Sequence, residues 1–191
     1  MPIRAYSGRM ANNSLETFIE GARSTWGPLT SDLVASCREN LAELLKGPAT
    51  EEWLASLHRE SPAFRELHRD ATRGFLLLAH TELDGRYRAP HDHGRGWVIY
   101  AVQRGEVEMG TFVRVEDANG SVRLVQRDTE VMRPGAVKVF LPGDTHDTRC
   151  ISGPVTLLRF TDRDLVKEEK VEHRVTRYVD RDGVWSDPQR G

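Results

Sequence analysis

The sequence predicts an all-β barrel preceded by a short run of helices, and two observations lead to this prediction. Apolar residues recur at helical spacing up to about residue 74, after which short apolar segments alternate with turn dipeptides. Three histidines from distant parts of the chain also stand in a pattern that can converge only if the sheet closes on itself. We therefore expect residues 1–74 to form an N-terminal helical extension and residues 75–191 to form the barrel, as one structural unit.

The composition bounds the class of protein. A chain of 191 residues is long enough for one domain with an ordinary buried core. Apolar residues make up 38% and charged residues 29%, as in globular rather than disordered proteins. The net charge is -2 with both signs interleaved, so we expect no nucleic-acid surface and no membrane-binding basic helix. The longest apolar runs, at 75–79 and 97–102, are too short to span a bilayer.

The N-terminus and the cysteines bear on the compartment. Residues 1–5 contain no apolar stretch of the signal-peptide type. The two cysteines are Cys37 and Cys150, and Cys37 lies on the apolar stripe of a predicted helix, which indicates a buried thiol. Two isolated cysteines without an export signal favour a reducing environment, so we expect a cytoplasmic protein.

Three helices are predicted in the N-terminal segment. Each has a residue suited to cap its first turn: Asn13 (with Glu16 completing a capping box), Thr30 or Ser31, and Thr50. Gly47-Pro48 stops the second helix, and Pro62 ends or restarts the third. The pattern leaves room for a short fourth turn around residues 64–67.

Seven strands are predicted after the helices. They are placed at residues 75–80, 97–103, 106–116, 122–127, 137–141, 155–161 and 171–179. Asn119-Gly120 is the strongest hairpin signal, because both residues tolerate positive φ. The charged runs at 162–164 and 167–170 mix both signs, and we interpret them as solvated turns.

The three histidines are His91 and His93, in a Pro-His-Asp-His-Gly segment, and His146, which follows a Pro-Gly turn. Successive strand residues point to opposite faces, so His91 and His93 share one face while Asp92 takes the other. Three imidazoles directed into a closed interior could hold a transition metal and leave coordination positions open. The alternative is three loop histidines that share no site.

These residues resemble the two motifs of the cupin superfamily, whose fold is a double-stranded β-helix, or small jelly-roll barrel. Four residues match the first motif: Gly85, His91, His93 and Gly105. Three match the second: Gly135, Gly143 and His146. Val98 stands where the first motif has Glu. The resemblance covers residues 75–161 and implies a cupin barrel.

The absence of that Glu changes the expected chemistry. A neutral three-histidine face leaves the ion its full charge, so it attracts an anion such as a thiolate or an enolate. Three-histidine cupins include the cysteine dioxygenase and 3-mercaptopropionate dioxygenase families, which this sequence resembles around residues 90–94 and in its N-terminal helices. The resemblance implies an Fe(II) enzyme that oxidises a small thiol, or a similar anionic chelating substrate, with O2. Zinc, nickel or manganese could occupy the site in a purified sample.

The sequence departs from the thiol dioxygenases on a later strand. Cysteine dioxygenases carry a Ser-x-His-x-Tyr string there, whereas in this chain Leu158 and Phe160 stand at the His and Tyr positions. Two alternatives therefore stay open. One is another metal-cupin reaction, such as diketone cleavage, isomerisation or hydrolysis. The other is a cupin that binds a small molecule and metal without turnover.

Five further residues are candidates for contact with the substrate. Arg69 is a loose counterpart of the carboxylate-binding arginine of cysteine dioxygenases. Arg95, like Arg88, flanks the histidine pair and could clamp a carboxylate, although loop arginines are usually solvated. Val98 occupies the Glu position beside the metal. Tyr100 shares strand parity with Val98, so its phenol could orient substrate or oxygen, or simply fill the core.

Other residues near the three histidines can have either a functional or a purely structural role. His80 ends a predicted strand and could support the metal ligands or be an ordinary barrel-end histidine. Asp92 and Asp147 adjoin ligands and could orient them. Trp97 and Ile99 should face away from the metal, either under the helices or at the interface of a homodimer.

Overall fold

The computed structural model describes residues 13–189. The N-terminal residues 1–5 lie outside this range. The described helices are α1 (Ser14–Thr25), α2 (Ser31–Leu44), α3 (Glu52–Glu60) and α4 (Leu165–Lys170). The described strands are β1 (Arg65–Arg69), β2 (Leu76–Glu82), β3 (Tyr87–His91), β4 (Val98–Glu116), β5 (Val122–Met132), β6 (Val137–Phe140), β7 (Thr145–Thr161), β8 (Val179–Arg181) and β9 (Val184–Ser186). No helix in 13–189 is both long and apolar enough to cross a membrane.

The first two helices begin where their caps predict. The Asn13 side chain accepts a hydrogen bond from the backbone N–H of Glu16 (2.9 Å), and the Glu16 carboxylate accepts one from the Asn13 N–H (3.2 Å). This reciprocal pair is the predicted capping box. Thr30 caps α2 by accepting from the Leu33 N–H at 3.2 Å.

The predicted cap of α3 is wrong. Glu51, and not Thr50, precedes the helix, and its side chain makes no capping bond. Its carboxylate instead accepts hydrogen bonds from the backbone N–H of Ser14 (3.0 Å) and the indole N–H of Trp53 (2.7 Å). Glu51 therefore ties the start of α1 to α3, a tertiary contact that has no local sequence signature.

The strands form one curled sheet. Its order is β1-β2-β7-β4-β5-β9-β8, with β3 also paired to β7 and β6 also paired to β4. The long strands β4 and β7 pair with each other along most of their length while their other edges bind different partners. The sheet consequently wraps around a concave interior, which confirms the predicted all-β fold with helices packed on it.

The predicted break near Gly105 is not a hairpin turn. The two segments predicted at 97–103 and 106–116 form the single strand β4, whose register with β7 shifts between Val102 and Val107. Gly105 has φ of 76°, and a Cβ there would lie 2.7 Å from the carbonyl oxygen of Ser152. Glycine is therefore needed at a bulge that bends a continuing strand.

Three other local predictions are wrong. The turn predicted at 64–67 is the edge strand β1, which pairs with β2. The run at 167–170 lies in α4, which Asp164 caps by accepting from the Val166 N–H at 2.9 Å. Most of the strand predicted at 171–179 is irregular, with only Val179 entering β8. In each case charge pattern and short apolar runs were poor guides, because packing against the main sheet decided the conformation.

The sheet separates two apolar clusters. Ile99 and Ala101 face a cluster that the N-terminal helices cover, which we name the helix-covered core. Val98, Tyr100 and Val102 face the concave side, which we name the inner wall. The helix-covered core includes Trp97, as expected, and the predicted buried thiol: Phe18, Ala22, Cys37, Leu41, Phe75, Leu77, Trp97, Ile99, Ala101, Leu158 and Phe160.

Candidate metal centre

The fold brings the three histidines together. His91 ends β3 and is the direct cross-strand partner of His146 on β7. His93 follows β3, and its ring centroid lies 5.4 Å from that of His91 and 5.0 Å from that of His146. The His91 and His146 rings are 4.7 Å apart. The sequence prediction that two distant segments converge is therefore confirmed.

The loop that carries His93 is held by the C-terminal part of the chain. The Asp92 carboxylate accepts hydrogen bonds from the backbone N–H groups of Gly94 (3.0 Å) and Thr176 (2.9 Å). The Tyr178 N–H donates to the Pro90 carbonyl at 2.9 Å. Asp92 thus ties the backbone after His93 to the C-terminal segment, while Tyr178 holds the backbone before His91.

The imidazole nitrogens are placed as a metal would require. One ligand atom from each histidine lies within 4.8 Å of the others, and the Nε2 atoms of His93 and His146 are 3.3 Å apart. Two nitrogens bound to one ion at about 2.1 Å are separated by roughly 3–3.5 Å, so this spacing fits. The Nδ1–H of His91 donates to the Ala89 carbonyl at 2.9 Å, which leaves its Nε2 lone pair free.

The environment keeps these imidazoles neutral. His91, His93 and His146 are 8%, 3% and 0% exposed. Burial is the main cause that lowers the pKa of each ring, and the neighbouring histidines lower the pKa of His93 and His146 further. Neutral imidazole is the form that binds a metal ion. The cluster could therefore hold a divalent transition metal at neutral pH.

No carboxylate joins the cluster within residues 13–189. Val98, at the position where the cupin motif has Glu, is fully buried in the inner wall. The Phe140 ring stacks on His146 with centroids 4.0 Å apart and planes inclined by 23°. The centre is consequently a neutral, three-nitrogen set against an apolar wall.

A cavity of about 80 Å³ opens beside the cluster. Tyr100 lines it, and the Tyr100 ring lies 5.3 Å from His146 and 6.2 Å from His93 between centroids. The Tyr100 hydroxyl makes no hydrogen bond to any described residue. Several charged or titratable residues share the lining: His80, Arg88, His91, Arg159 and Arg177.

Neither arginine predicted to bind substrate lines this cavity. Arg69 on β1 pairs with Glu66 (2.8 Å) and Asp164 (2.9 Å) at the surface. Arg95 pairs with Glu168 at 2.8 Å and also with Glu172. Both guanidinium groups are occupied by the protein's own carboxylates, a pairing that the sequence pattern did not reveal.

Arg88 and Asp147 also have structural partners. Arg88 is exposed at the rim of the cavity and pairs with Glu82. The Asp147 carboxylate accepts hydrogen bonds from the Tyr87 hydroxyl and the Gly110 N–H, both at 2.8 Å. The Asp147 carboxylate therefore braces neighbouring strands and is not bonded to a histidine.

Arg159 is one of several cavity residues that sequence reasoning missed, and Arg177 is another. Leu158 and Phe160, which stand at the His and Tyr positions of the cysteine dioxygenase string, point the other way, into the helix-covered core. The residues of this part of β7 that face the cavity are Leu157 and Arg159. One signal could have found Arg159, since it is the single charged residue in the otherwise uncharged segment 155–161.

Comparisons with known proteins give structural matches alone. No protein-family model matches the sequence, and no curated protein matches it. KdgF from Halomonas sp. is similar over 53% of this chain and 78% of its own, at 16% identity and a TM-score of 0.41. The cupin domain of Cnp3 from Schizosaccharomyces pombe is similar over 58% of this chain and 69% of its own, at 15% identity and a TM-score of 0.41. The DMSP lyase DddQ from Ruegeria pomeroyi is similar over 54% of this chain and 47% of its own, at 19% identity and a TM-score of 0.41.

Proposed function

We propose that this protein is a mononuclear non-haem iron enzyme that oxidises a small thiol, or a similar anionic chelating substrate, with O2. His91, His93 and His146 would hold the metal. The observation that carries the proposal is the convergence of three buried, neutral imidazoles, without a carboxylate, beside a small cavity.

The charge of the site favours an anionic substrate. Neutral ligands cancel none of the charge of a divalent ion. Four arginines line the adjoining cavity against one carboxylate: Arg86, Arg88, Arg159, Arg177 and Glu82. A partly enclosed site with excess positive charge is stabilised by an incoming anion. A thiolate satisfies this requirement and is also a soft ligand for a transition metal.

The reaction balances without a further reductant. A thiol RSH and O2 give a sulfinic acid RSO2H, in which both oxygen atoms are bound to sulfur. The sulfur loses four electrons and the O2 gains four, so no other redox partner is consumed. Iron, when bound, supplies the redox chemistry that the side chains of this site lack.

The protein's own residues would position the reactants. The inner wall presents Val98 and Phe140 near the histidines, and these apolar groups limit the water that reaches the centre. The Tyr100 side chain lines the cavity, and its hydroxyl would be available to hydrogen-bond the substrate or oxygen. His91 keeps its orientation through its bond to the Ala89 carbonyl.

The test is oxygen uptake after anaerobic loading with Fe(II). The protein would be mixed with cysteine, 3-mercaptopropionate, cysteamine and a diketone in separate assays, with the zinc-loaded protein as the redox-inert control. We expect uptake of one O2 per thiol and formation of the sulfinate. A Tyr100→Phe variant should bind iron normally but turn over more slowly, by about tenfold or more if the hydroxyl contacts the reacting atoms.

Other results would replace the proposal. Uptake with the diketone alone would assign carbon–carbon cleavage to the same centre. Tight iron binding without uptake for any compound would favour a cupin that binds small molecules without turnover. Undiminished activity in Tyr100→Phe would remove Tyr100 from the mechanism.

A further inference from the structure

Residues 90–96, which carry two of the three histidines, lie against residues 165–178. We name the first segment the ligand loop and the second, which comprises α4 and the chain that follows it, the clasp. His91 pairs with His146 on β7 at one edge and forms an isolated β-bridge with Arg177 of the clasp at the other. One of the three histidines therefore lies directly between the main sheet and the clasp.

Backbone hydrogen bonds join the two segments on both sides of His91. The Tyr178 N–H donates to the Pro90 carbonyl at 2.9 Å, and the Asp92 N–H donates to the Thr176 carbonyl at 3.1 Å. These two bonds have the pattern of a short antiparallel ladder. The clasp, as well as β7, thus fixes the backbone that carries His91.

Two carboxylates fasten the ligand loop to the clasp. Asp92 Oδ1 accepts hydrogen bonds from the N–H of Gly94 at 3.0 Å, within the loop, and from the N–H of Thr176 at 2.9 Å, in the clasp. Glu168 of the clasp is 3% exposed and accepts from the Arg95 backbone N–H at 3.3 Å and from the Arg95 guanidinium at 2.8 Å. A single oxygen of Asp92 therefore joins the two sides of this contact.

The two segments also approach each other closely at Gly94. A Cβ at this position would lie 3.0 Å from the Glu168 carboxylate and 3.2 Å from the carbonyl oxygen of Arg174. Such a close approach of backbone to backbone favours glycine. Because no free space separates the segments here, a displacement of the ligand loop has to displace the clasp.

The clasp buries little of its own surface. Glu168 and Tyr178 are its buried residues, whereas Val166 and Val171 are 53% and 67% exposed. Segments with few buried apolar groups open more readily than the core of a fold. The closed position of the clasp therefore depends in part on its polar contacts with the ligand loop.

We infer that metal binding at the three histidines and closure of the clasp are coupled, and that Asp92 is the positioning residue that couples them. An ion bound by His91 and His93 holds the ligand loop in the arrangement that the closed clasp contacts. Coupling between two sites is reciprocal, so whatever the clasp adds to metal affinity, the metal returns as stability of the clasp. A surface segment would thus respond to occupancy of the buried centre. This inference rests on the metal centre of the proposed function and not on the reaction assigned to it.

Hydrogen exchange of the full chain tests the coupling without any variant. The amides of Thr176 and Tyr178 would be compared in metal-free and zinc-loaded protein, with calorimetry to show that zinc is bound. We expect both amides to exchange about tenfold more slowly in the zinc-loaded protein, within the usual range of coupling between sites. The Gly183 N–H, which donates to Asp180 at 2.8 Å in the β8–β9 turn, is the internal control and should exchange at the same rate in both.

Replacement of Asp92 tests its part in the coupling. Asp92→Ala removes the acceptor that Gly94 and Thr176 share, and should lower zinc affinity about tenfold, as loss of a group that positions a metal ligand does. It should also make exchange at Thr176 independent of zinc. Asp92→Asn keeps an oxygen acceptor and should recover most of both properties.

The matched control is Asp117→Ala. One oxygen of Asp117 likewise accepts hydrogen bonds from two backbone N–H groups, those of Asn119 at 2.8 Å and Ser121 at 3.0 Å, in the turn between β4 and β5. Loss of this carboxylate should leave zinc affinity and the exchange of the clasp unchanged. An equal loss of zinc affinity in both variants would point to general damage to the fold and would overturn the role of Asp92.

The outcomes separate this inference from the proposed function. Bound zinc with unchanged exchange at Thr176 and Tyr178 would overturn the inference and leave the proposed function in place. Undiminished zinc affinity in a folded Asp92→Ala variant would also overturn the inference. Zinc-dependent exchange without O2 uptake by the iron-loaded protein would refute the proposed function and leave the coupling in place. Absence of zinc binding by the wild-type protein would refute both.

Discussion

Successive residues of β4 and β7 point to opposite faces of the sheet, and the two faces differ in their chemical character. On the helix-covered core, Phe160 is fully buried and its ring lies 5.3 Å from Phe18, 5.5 Å from Phe75 and 5.7 Å from Trp97. Every residue that forms this cluster is apolar. On the inner wall, one residue away at Arg159, the side chain is charged and its Nε has no partner.

This difference separates stability from chemistry. Helices cover the helix-covered core, so its residues contribute to the stability of the fold by removing apolar surface from water. The inner wall combines an apolar floor with the three clustered imidazoles and with two buried atoms that make no hydrogen bond, the His80 Nε2 and the Arg159 Nε. Because one strand supplies both faces, a substitution at one position should affect stability and its neighbour should affect binding.

The largest effect is expected on the helix-covered core. Phe160→Ala removes a fully buried ring with four aromatic neighbours, and should lower the free energy of unfolding by about 3–5 kcal/mol. Denaturant unfolding would measure the change. The metal affinity of the folded variant should stay within a few-fold of that of the wild type. A loss of metal-binding free energy as large as the loss of stability would show that the two faces are not independent.

On the concave side, His146→Ala tests the metal centre directly. Removing a residue that hydrogen-bonds a metal ligand lowers metal affinity about 10- to 100-fold. Removing a ligand itself should therefore lower it more than a hundredfold. Competition with a chelator would measure it, with circular dichroism to show that the fold persists. His58→Ala is the matched control, since His58 pairs with Gln103 away from the cluster. Full metal affinity in His146→Ala would refute the ligand set.

The acid sensitivity of the metal-free protein sharpens the comparison further. The His80 pKa falls from 6.5 to about 3 on folding, so the unfolded chain binds more protons between these values. The unfolding free energy should therefore fall as the pH drops below 6.5. Each such histidine contributes about 1.4 kcal/mol per pH unit to this slope.

His80→Leu should reduce the slope of unfolding free energy against pH by the contribution of one histidine. Denaturant unfolding between pH 4.5 and 6.5 would measure this slope. His93 and His146 also have lowered pKa values and remain in the variant, so part of the slope should persist. An unchanged slope would mean that His80 is solvated, and would weaken its place in the cavity.

Local sequence signals were reliable where the chemistry is local. The capping box of Asn13 and Glu16, and the inward direction of Tyr100, follow from hydrogen-bond geometry and strand parity over a few residues. They failed at β1 and α4, where packing on the sheet overrode a weak pattern. They did not reveal the ion pairs of Arg69 and Arg95, whose carboxylate partners, Asp164 and Glu168, lie far along the chain.

The sequence by itself determined the order of the elements, with strands after helices, and the set of three histidines. It also placed Val98 where the cupin motif that it resembles has Glu. The tertiary structure decided which charged groups face that centre. Arg159 enters the cavity because the pairing of β7 with β4 and β2 sets its side of the sheet. A shift of one residue in register exchanges inside for outside, and the strands that fix the register are distant in sequence.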